Sequence, residues 1–291
     1  VHVVMDLALR QIIELDEPQQ ILHTNCWLRI TWSDCRLVWN SSNYRDINSI
    51  VVPAKKLWYP DLTLYDSAEV SSQNIQNYRI GLTSNGDIRQ YVPAVLVSLC
   101  SIDVSIFPFD EQVCNLTFGM WMHNGLDVDI APLRNADLSQ YVQHVEWRLI
   151  SFNSERIVNV FVDIPYPVVI YQLRLQRKPL FYVINLLFPC VLISTIAVLG
   201  FILPSDSGEK VNLEVTVLLS LAVFQLIVLD TMPPSSETLP VIGLYFAATM
   251  VMVALSCLMT VLVLNIHFRG KTEYRAPKVL RCIIINGLGK V

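Results

Sequence analysis

Six side chains along one apolar stretch of this 291-residue sequence are of types suited to handling ions rather than making bonds. Glu209, Asn212, Thr216, Leu219, Val223 and Asp230 recur at intervals of three, four and seven, which on a helix places them on one stripe. The stripe mixes carboxylates, an amide and a hydroxyl with bulky apolar groups. Hydrocarbon does not tolerate charge and exposed polarity, so a water-filled path is the better physical reading than a lipid-facing surface. Carboxylate rings around such a path favour cations, and apolar rings close it by dewetting. Elsewhere no Ser-His-acid set, paired-carboxylate motif or phosphate-cradling glycine loop is apparent, and the histidines lack metal-ligand spacing. Enzyme chemistry is excluded on these grounds, and no cofactor, metal or nucleic-acid partner is expected.

The elements that must carry such a stripe follow from the charge distribution more than from the formal net charge of -4. Residues 180–203 contain no charged side chain, 211–230 carry Glu214 and the terminal Asp230, and 238–266 contain none. Each stretch approaches or exceeds the roughly 20 apolar residues that cross a bilayer core. After the third come His267, Arg269, Lys271, Arg275, Lys278 and Arg281 against Glu273 alone, whereas the link between the second and third holds only acidic charges. Basic residues mark the cytoplasmic side, so residues 267–291 are expected inside and residues 1–178 outside. Sequons at Asn40-Ser41-Ser42 and Asn115-Leu116-Thr117 agree with an extracellular first half. The opening residues lack a basic start and a small-residue cleavage site, so a mature or trimmed form is expected.

Residues 1–178 read as short strands between turn signals: Val1–Ile13, Ile21–Ile30, Arg36–Trp39, Gly81–Leu82, Arg89–Ser98, Val113–Phe118, Arg148–Phe152 and Val168–Gln176. Turns at Asn85-Gly86-Asp87 and Asn124-Gly125 fit hairpins. The sum is an extracellular all-β, immunoglobulin-like sandwich followed by an α-helical transmembrane bundle over 179–266. The joint at Gln176-Arg177-Lys178-Pro179 has no flexible linker, so it would transmit movement rather than absorb it. Glu214 lies off the stripe inside an apolar segment, where Lys210, four residues earlier, is a candidate partner. Cys26 and Cys35 read as one strand, on opposite faces and too far apart to bond.

Cys100 and Cys114 enclose thirteen residues, and outside the cell such a pair can close as a disulfide. The enclosed Phe107-Pro108-Phe109-Asp110, at this spacing, resembles the signature of Cys-loop receptors. The resemblance covers nearly the whole chain and is closest to nicotinic acetylcholine receptor subunits. It includes Asn25-Cys26-Trp27, Trp32-Ser33-Asp34, Leu57-Trp58-Tyr59-Pro60-Asp61-Leu62-Thr63-Leu64-Tyr65, Gln176-Arg177-Lys178-Pro179-Leu180 and Pro204-Ser205-Asp206-Ser207-Gly208-Glu209-Lys210.

The resemblance implies a pentameric ligand-gated channel in the plasma membrane, at a synapse in some settings, with four further subunits, a small cationic agonist, permeant cations and the bilayer as partners. It implies a ligand site between neighbours: Tyr65, Trp121 and Tyr166 on one face, Phe161 in place of a loop tyrosine, and Trp27 from the next subunit. Ring faces attract a cation without a full counter-ion. In a pentamer the stripe becomes rings, with Glu209 for cation selectivity, Asn212 at the narrowest part, Thr216 as a polar ring, Leu219 and Val223 as the gate and Asp230 as an outer ring. Coupling is implied through Glu17-Pro18, the loop Phe107, Pro108, Phe109 and Asp110, Arg177, and the link holding Pro233, with Glu17 and Arg177 as a charge pair. The family's usual N-terminal helix and fourth span are not seen, so a longer natural protein is expected.

Several residues depart from the family pattern. Met122 and His123 stand where a small hydroxyl residue and an aromatic ring are usual, Asn212 replaces a threonine or serine, and the loop before Tyr166 is short and lacks adjacent cysteines. These departures leave a rival reading open, an auxiliary subunit that forms the pore without binding agonist itself. An adhesion-type receptor is the remote alternative, since it would need one span and no stripe.

Overall fold

A computed structural model describes residues 1–69, 78–134, 136–230 and 240–271. They form a strand unit, Val1–Pro179, and a helical unit that begins at Leu180. The strands are β1 (His2–Asp16), β2 (Ile21–Ser33), β3 (Ser49–Pro53), β4 (Leu62–Leu64), β5 (Arg79–Thr83), β6 (Asp87–Leu99), β7 (Glu111–Met120), β8 (Asp129–Pro132), β9 (Trp147–Phe161) and β10 (Ile164–Arg177). Among the described residues they make two sheets, ordered β3-β5-β6-β2-β1-β8 and β4-β7-β10-β9.

Alternation decides which side chains enter the core. In β6, Ile88, Gln90, Val92, Ala94, Leu96 and Ser98 are buried and their neighbours are not. In β1 the inward apolar set is Val3, Met5, Leu7 and Leu9, then Ile12, then Leu15, with Asp6 and Ala8 buried between them. Register shifts between Leu9 and Gln11 and between Ile12 and Glu14 absorb the extra residues and keep apolar side chains facing inward. Tyr171 of β10 is wholly buried and its hydroxyl donates to the Met5 carbonyl of the other sheet at 3.3 Å. Phe118 and Phe152 pack on its ring at 6.2 and 5.8 Å.

Two expected elements differ. Arg36–Trp39 is not a strand: the Asp34 carboxylate accepts from the Arg36 N–H at 3.0 Å and from its guanidinium at 2.7 Å, folding Cys35–Leu37 into a short helical turn. Cys35 therefore lies beyond β2 and is exposed, while Cys26 is buried in β2, and both are free thiols. Asn124-Gly125 does not make a hairpin either. Asn124 Oδ1 accepts from the Leu126 and Asp127 N–H groups at 2.9 and 3.3 Å. This turn leads the chain to β8, which pairs in parallel with β1 of the other sheet. Gly86, by contrast, does close the β5–β6 hairpin with φ +84°, where a Cβ would fall 2.6 Å from the Asp34 carbonyl oxygen.

One end of the strand unit is organised by a buried cation. The Arg177 side chain, 1% exposed, ends β10 and makes a two-pronged contact with Asp110, Nε to Oδ1 at 2.8 Å and Nη2 to Oδ2 at 3.2 Å. Its Nη1 reaches Glu17 Oε1 at 2.7 Å and Glu146 Oε1 at 2.6 Å. Trp147 and Phe107 lie against the guanidinium at 4.2 and 5.0 Å. Desolvation disfavours the charged Arg177, but its bonds to Asp110 and Glu17 outweigh this and hold its pKa above the ordinary value. Burial pushes the Glu17 carboxyl up in spite of Arg177. Nearby the Cys100–Cys114 disulfide is formed, and buried Gln112 braces the loop it closes, donating to the Asp103 carbonyl at 2.8 Å and to Asp110 at 2.7 Å.

The helical unit has helices at Leu180–Leu199, Lys210–Asp230 and Val241–Lys271, all long and apolar enough to cross a membrane. The first includes a π-helical turn, Val183–Leu187, just before Pro189, which has no N–H to give to the helical ladder. Each helix buries one stripe: Leu186, Cys190 and Ala197; Glu214, Val217, Leu221 and Val228; Ile242, Phe246, Val253 and Thr260. The spacings of three, four and seven are those of one helical face.

Replacing Arg177 with methionine leaves Asp110, Glu17 and Glu146 without their cation and is expected to cost about 3–5 kcal/mol. The measurement is thermal unfolding of the detergent-solubilised full-length protein with its cell-surface level. An unchanged melting temperature in R177M would show that the cluster does not hold this end together.

Candidate functional site

Four aromatic side chains from three separate stretches meet on the four-stranded sheet. Tyr65 follows β4, Trp121 follows β7, and Phe161 and Tyr166 lie either side of the β9–β10 turn. With Met120, Asn159 and Val168 they line a pocket of about 280 Å³. Tyr65 packs edge-to-face on Trp121 at 6.2 Å, and Phe161 on Tyr166 at 5.8 Å. The Tyr65 hydroxyl donates to the Met120 carbonyl at 2.8 Å. Burial pushes its pKa up, with the negative charge of Asp61 adding to the effect, so it remains a donor at neutral pH. A Cβ on Gly119 would fall 2.4 Å from that hydroxyl, so the bare backbone there is what lets the Tyr65 ring lie across β7.

The loop carrying Trp121 is clamped from behind. Asp61 accepts from the Met122 N–H at 2.5 Å and pairs with the His123 ring at 2.8 Å, while the Asp61 carbonyl accepts from the Trp121 N–H at 3.4 Å. Burial raises the Asp61 carboxyl, but the bonds from Met122 and His123 outweigh it and hold it below its ordinary value. His123 in turn packs on Trp58 at 6.2 Å. An ionised carboxylate thus stands behind a wall of uncharged rings, with no charged side chain in the pocket lining itself.

The turn beside the pocket is tight. Phe161 pairs with Ile164, leaving Val162 and Asp163 as its two central residues, with φ +51° and +62°. Two such residues with positive φ make the type of turn that suits a twisted hairpin, although a β-branched residue rarely fills it. Asn159 escaped the sequence reading. It sits across the ladder from Tyr166, a relation that appears only when the register of this turn is fixed.

Trp27 is not brought to the other four rings. It lies outward on β2 of the six-stranded sheet, 40% exposed, in a separate cleft of about 590 Å³ with Arg29, Tyr91, Val92 and Pro93. The Arg10 guanidinium covers one face of its ring at 4.6 Å. Within one chain the aromatic residues singled out from sequence therefore lie in two separate groups on different sheets.

Of the residues expected to serve coupling, Glu17, Phe107, Asp110 and Arg177 form the buried cluster described above, joined by Glu146 and Trp147, which the sequence did not single out. Pro108 is buried beside them and Phe109 is exposed. Pro233 and the segment after Lys271 lie outside the described residues. Of the sequon asparagines, Asn40 is exposed and caps the turn Ser41–Tyr44, and Asn115 is exposed on β7.

On the second helix, Asn212, Thr216, Leu219, Val223 and Asp230 share the exposed face, opposite the buried stripe, with Glu209 exposed just before it. Glu209 Oε2 accepts from the Asn212 amide at 3.2 Å, and the Thr216 hydroxyl donates to the Asn212 carbonyl at 2.8 Å. Lys210 is not the partner of Glu214. Its ammonium reaches toward the Phe201 carbonyl at 3.5 Å, and Glu214 turns instead to the third helix, where Ser256 and Thr260 donate to its Oε1 at 3.1 and 2.7 Å.

Comparison with known proteins agrees with this arrangement. Residues 1–179 match the neurotransmitter-gated ion-channel ligand binding domain, and residues 186–291 match the neurotransmitter-gated ion-channel transmembrane region. The chain is 44% identical over 293 residues to neuronal acetylcholine receptor subunit alpha-9-I of Oncorhynchus mykiss, covering 100% of this chain and 51% of that one. It is 43% identical to subunit alpha-9 of Gallus gallus, covering 100% and 60%, and 41% identical to subunit alpha-10 of Rattus norvegicus, covering 99% and 65%. The chain thus spans about half to two thirds of the length of these curated relatives. Strands that bring a ring-lined pocket together, a disulfide-closed loop beside a buried arginine, three apolar helices and both family matches lead to one assignment: the chain belongs to the neurotransmitter-gated ion-channel family, whose members are channels and not enzymes.

Proposed function

We propose that this chain is one subunit of a pentameric, cation-selective channel in the plasma membrane, opened by a small organic cation. Its strand unit is extracellular, its three helices cross the bilayer, and its partners are four subunits of the same or related sequence. The observation that carries this reading is the convergence of Tyr65, Trp121, Phe161 and Tyr166 on one uncharged pocket backed by Asp61. Rings bind a quaternary or protonated amine through their negative faces, and a carboxylate behind them adds attraction without forming an ion pair. Trp27, outward on the other sheet, would supply the second half of the site from the neighbouring subunit. The names of the relatives make acetylcholine the first agonist to test.

The exposed stripe of the second helix lines the ion path in this reading. Glu209 selects for cations at the inner end, Asn212 and Thr216 form polar rings, Leu219 and Val223 form a gate that closes by dewetting, and Asp230 concentrates cations outside. Arg177, two residues before Pro179, and its carboxylates pass the movement of β10 along the chain in this reading.

A second reading, an auxiliary subunit, is favoured by one specific observation. The β9–β10 turn closes on Val162-Asp163 without the adjacent cysteines that agonist-binding acetylcholine receptor subunits carry there, and Arg10 already covers one face of Trp27. Voltage-clamp recording from cells expressing the full-length subunit alone, then with a related subunit, separates the two. Agonist current from the subunit alone supports the principal reading. Surface expression with silence alone and current on co-expression supports the auxiliary one.

Four substitutions test the principal reading. Trp121→Ala abolishes agonist current with surface level retained. Gly119→Ala, whose methyl group would strike the Tyr65 hydroxyl, raises the half-maximal agonist concentration at least tenfold, whereas Tyr65→Phe, which keeps the ring and loses one hydrogen bond, raises it about fivefold. Glu209→Gln shifts the reversal potential in a sodium gradient toward zero. A Glu209→Gln channel with unaltered sodium selectivity would place the filter elsewhere.

A further inference from the structure

Glu214 is wholly buried within the helical unit. Its Oε1 accepts two hydrogen bonds from the third helix, Ser256 Oγ at 3.1 Å and Thr260 Oγ1 at 2.7 Å, donors four residues apart on one helical face. Its Oε2 has no hydrogen-bond partner among the described residues. The end of the first helix closes over the same carboxyl: a Cβ at Gly200 would lie 3.6 Å from Oε1 and 3.7 Å from Cγ. A carboxyl in an apolar bundle is costly, so apolar packing alone does not account for its presence. Alanine would fill the stripe Val217, Leu221 and Val228 continue without that cost.

The position of Glu214 says what the cost is set against. On a helix, two residues are roughly 200° apart, so Glu214 stands opposite both Asn212 and Thr216, at the height between them. Its two bonds to the third helix therefore fix the rotation of the second helix just where the stripe carries its polar residues. Turning or tilting that stripe stretches both bonds.

We propose that Glu214 is a positioning residue for gating: a latch that sets the rotational state of the second helix through Ser256 and Thr260, without itself meeting the permeating ion. The proposal rests on the reading that the Asn212–Thr216–Leu219 face lines the ion path. Its partners on the third helix are neutral hydroxyls, no charged side chain is present from Leu180 to Gly200, and the nearest charge on its own helix, Lys210, is turned to Phe201. The latch therefore works by hydrogen bonding and not by an ion pair.

The test is single-channel and macroscopic recording of the full-length subunit carrying Glu214→Ala, Glu214→Gln, Ser256→Ala with Thr260→Ala, and all three alanines together. Interhelical bonds of this kind are worth about 0.6 kcal/mol each on average, so losing two shifts the open–closed equilibrium about eightfold. Glu214→Ala and the Ser256/Thr260 double variant are expected to shift it by that amount in the same direction, with conductance and reversal potential unchanged. The triple variant is expected to go no further, and Glu214→Gln, which keeps an acceptor oxygen, to stay within twofold of the parent. Changed conductance, additive shifts, or an Ala variant with unaltered gating would overturn the latch. Loss of surface expression in the Ala variants is answered by Glu214→Gln with Thr260→Val: a shift matching Thr260→Val alone sustains the latch, and none overturns it. Leu219→Cys, probed with a charged thiol reagent, checks the pore reading separately. If that cysteine is not protected or exposed with opening, the assignment of the ion path fails whatever Glu214 does.

Discussion

The burial of one guanidinium governs how the strand unit ends. Removing a charged group from water costs several kcal/mol, and the cost is recovered only when every donor finds a well-placed acceptor. Arg177 meets that demand with Asp110, Glu17 and Glu146 and with the faces of Trp147 and Phe107. These residues come from the ends or flanks of β1, β7, β9 and β10 and from the disulfide-closed loop. None of the charged members can leave without weakening the compensation of the others. Four strand ends therefore behave as one object, and β10 is anchored at its far end from the pocket. Tyr166 and Arg177 lie on that strand eleven residues apart, roughly 36 Å at the rise of an extended chain. One hydrogen-bonded strand thus joins the ring-lined pocket to Arg177, which two positions separate from the first helix, and in the proposed reading this is the route of coupling.

The pocket obeys a related constraint with the opposite sign. In the proposed reading as a cation site, a buried carboxylate pair would hold the ligand too tightly, whereas rings give moderate attraction that does not titrate. Asp61 contributes from behind the rings, its carboxylate already committed to the Met122 N–H and the His123 ring. Gly119 makes this geometry feasible, since any side chain there would collide with Tyr65. In the proposed reading, the outward placement of Trp27 on the other sheet would leave a single chain with only half of such a site.

How much of this was legible in the sequence depended on the physics behind each element. Long alternating strands were readable because one face is buried, as in β2, β6 and β10. The short strands β3, β4 and β8 were not, because three to five residues give too little alternation to detect. The outer half of β9 escaped because it is exposed along both faces and carries no pattern. Arg36–Trp39 misled because its apolar residues suggested a strand while Asp34 captured the backbone first. Among site residues, the rings and the Glu17–Arg177 pair could be named from motifs, but Glu146, Trp147 and Asn159 depend on register and on strand ends meeting, which no local pattern encodes.

The second helix shows why polar residues are the informative ones in an apolar segment. A helix that is hydrophobic all round gives no indication of which face meets lipid, water or protein, and periodicity alone leaves its rotation open. Here two independent polar sets resolve it. Asn212 and Thr216 share the exposed face with Leu219 and Val223, while Glu214 is drawn to hydroxyls on the third helix from the opposite side. Lys210 was the natural partner for Glu214 by spacing, yet an exposed ammonium gains more by staying near water and a free carbonyl than by following a carboxyl into the bundle. The acid is satisfied across helices, so the same two bonds that lower the cost of burying it also fix the direction in which the opposite face points.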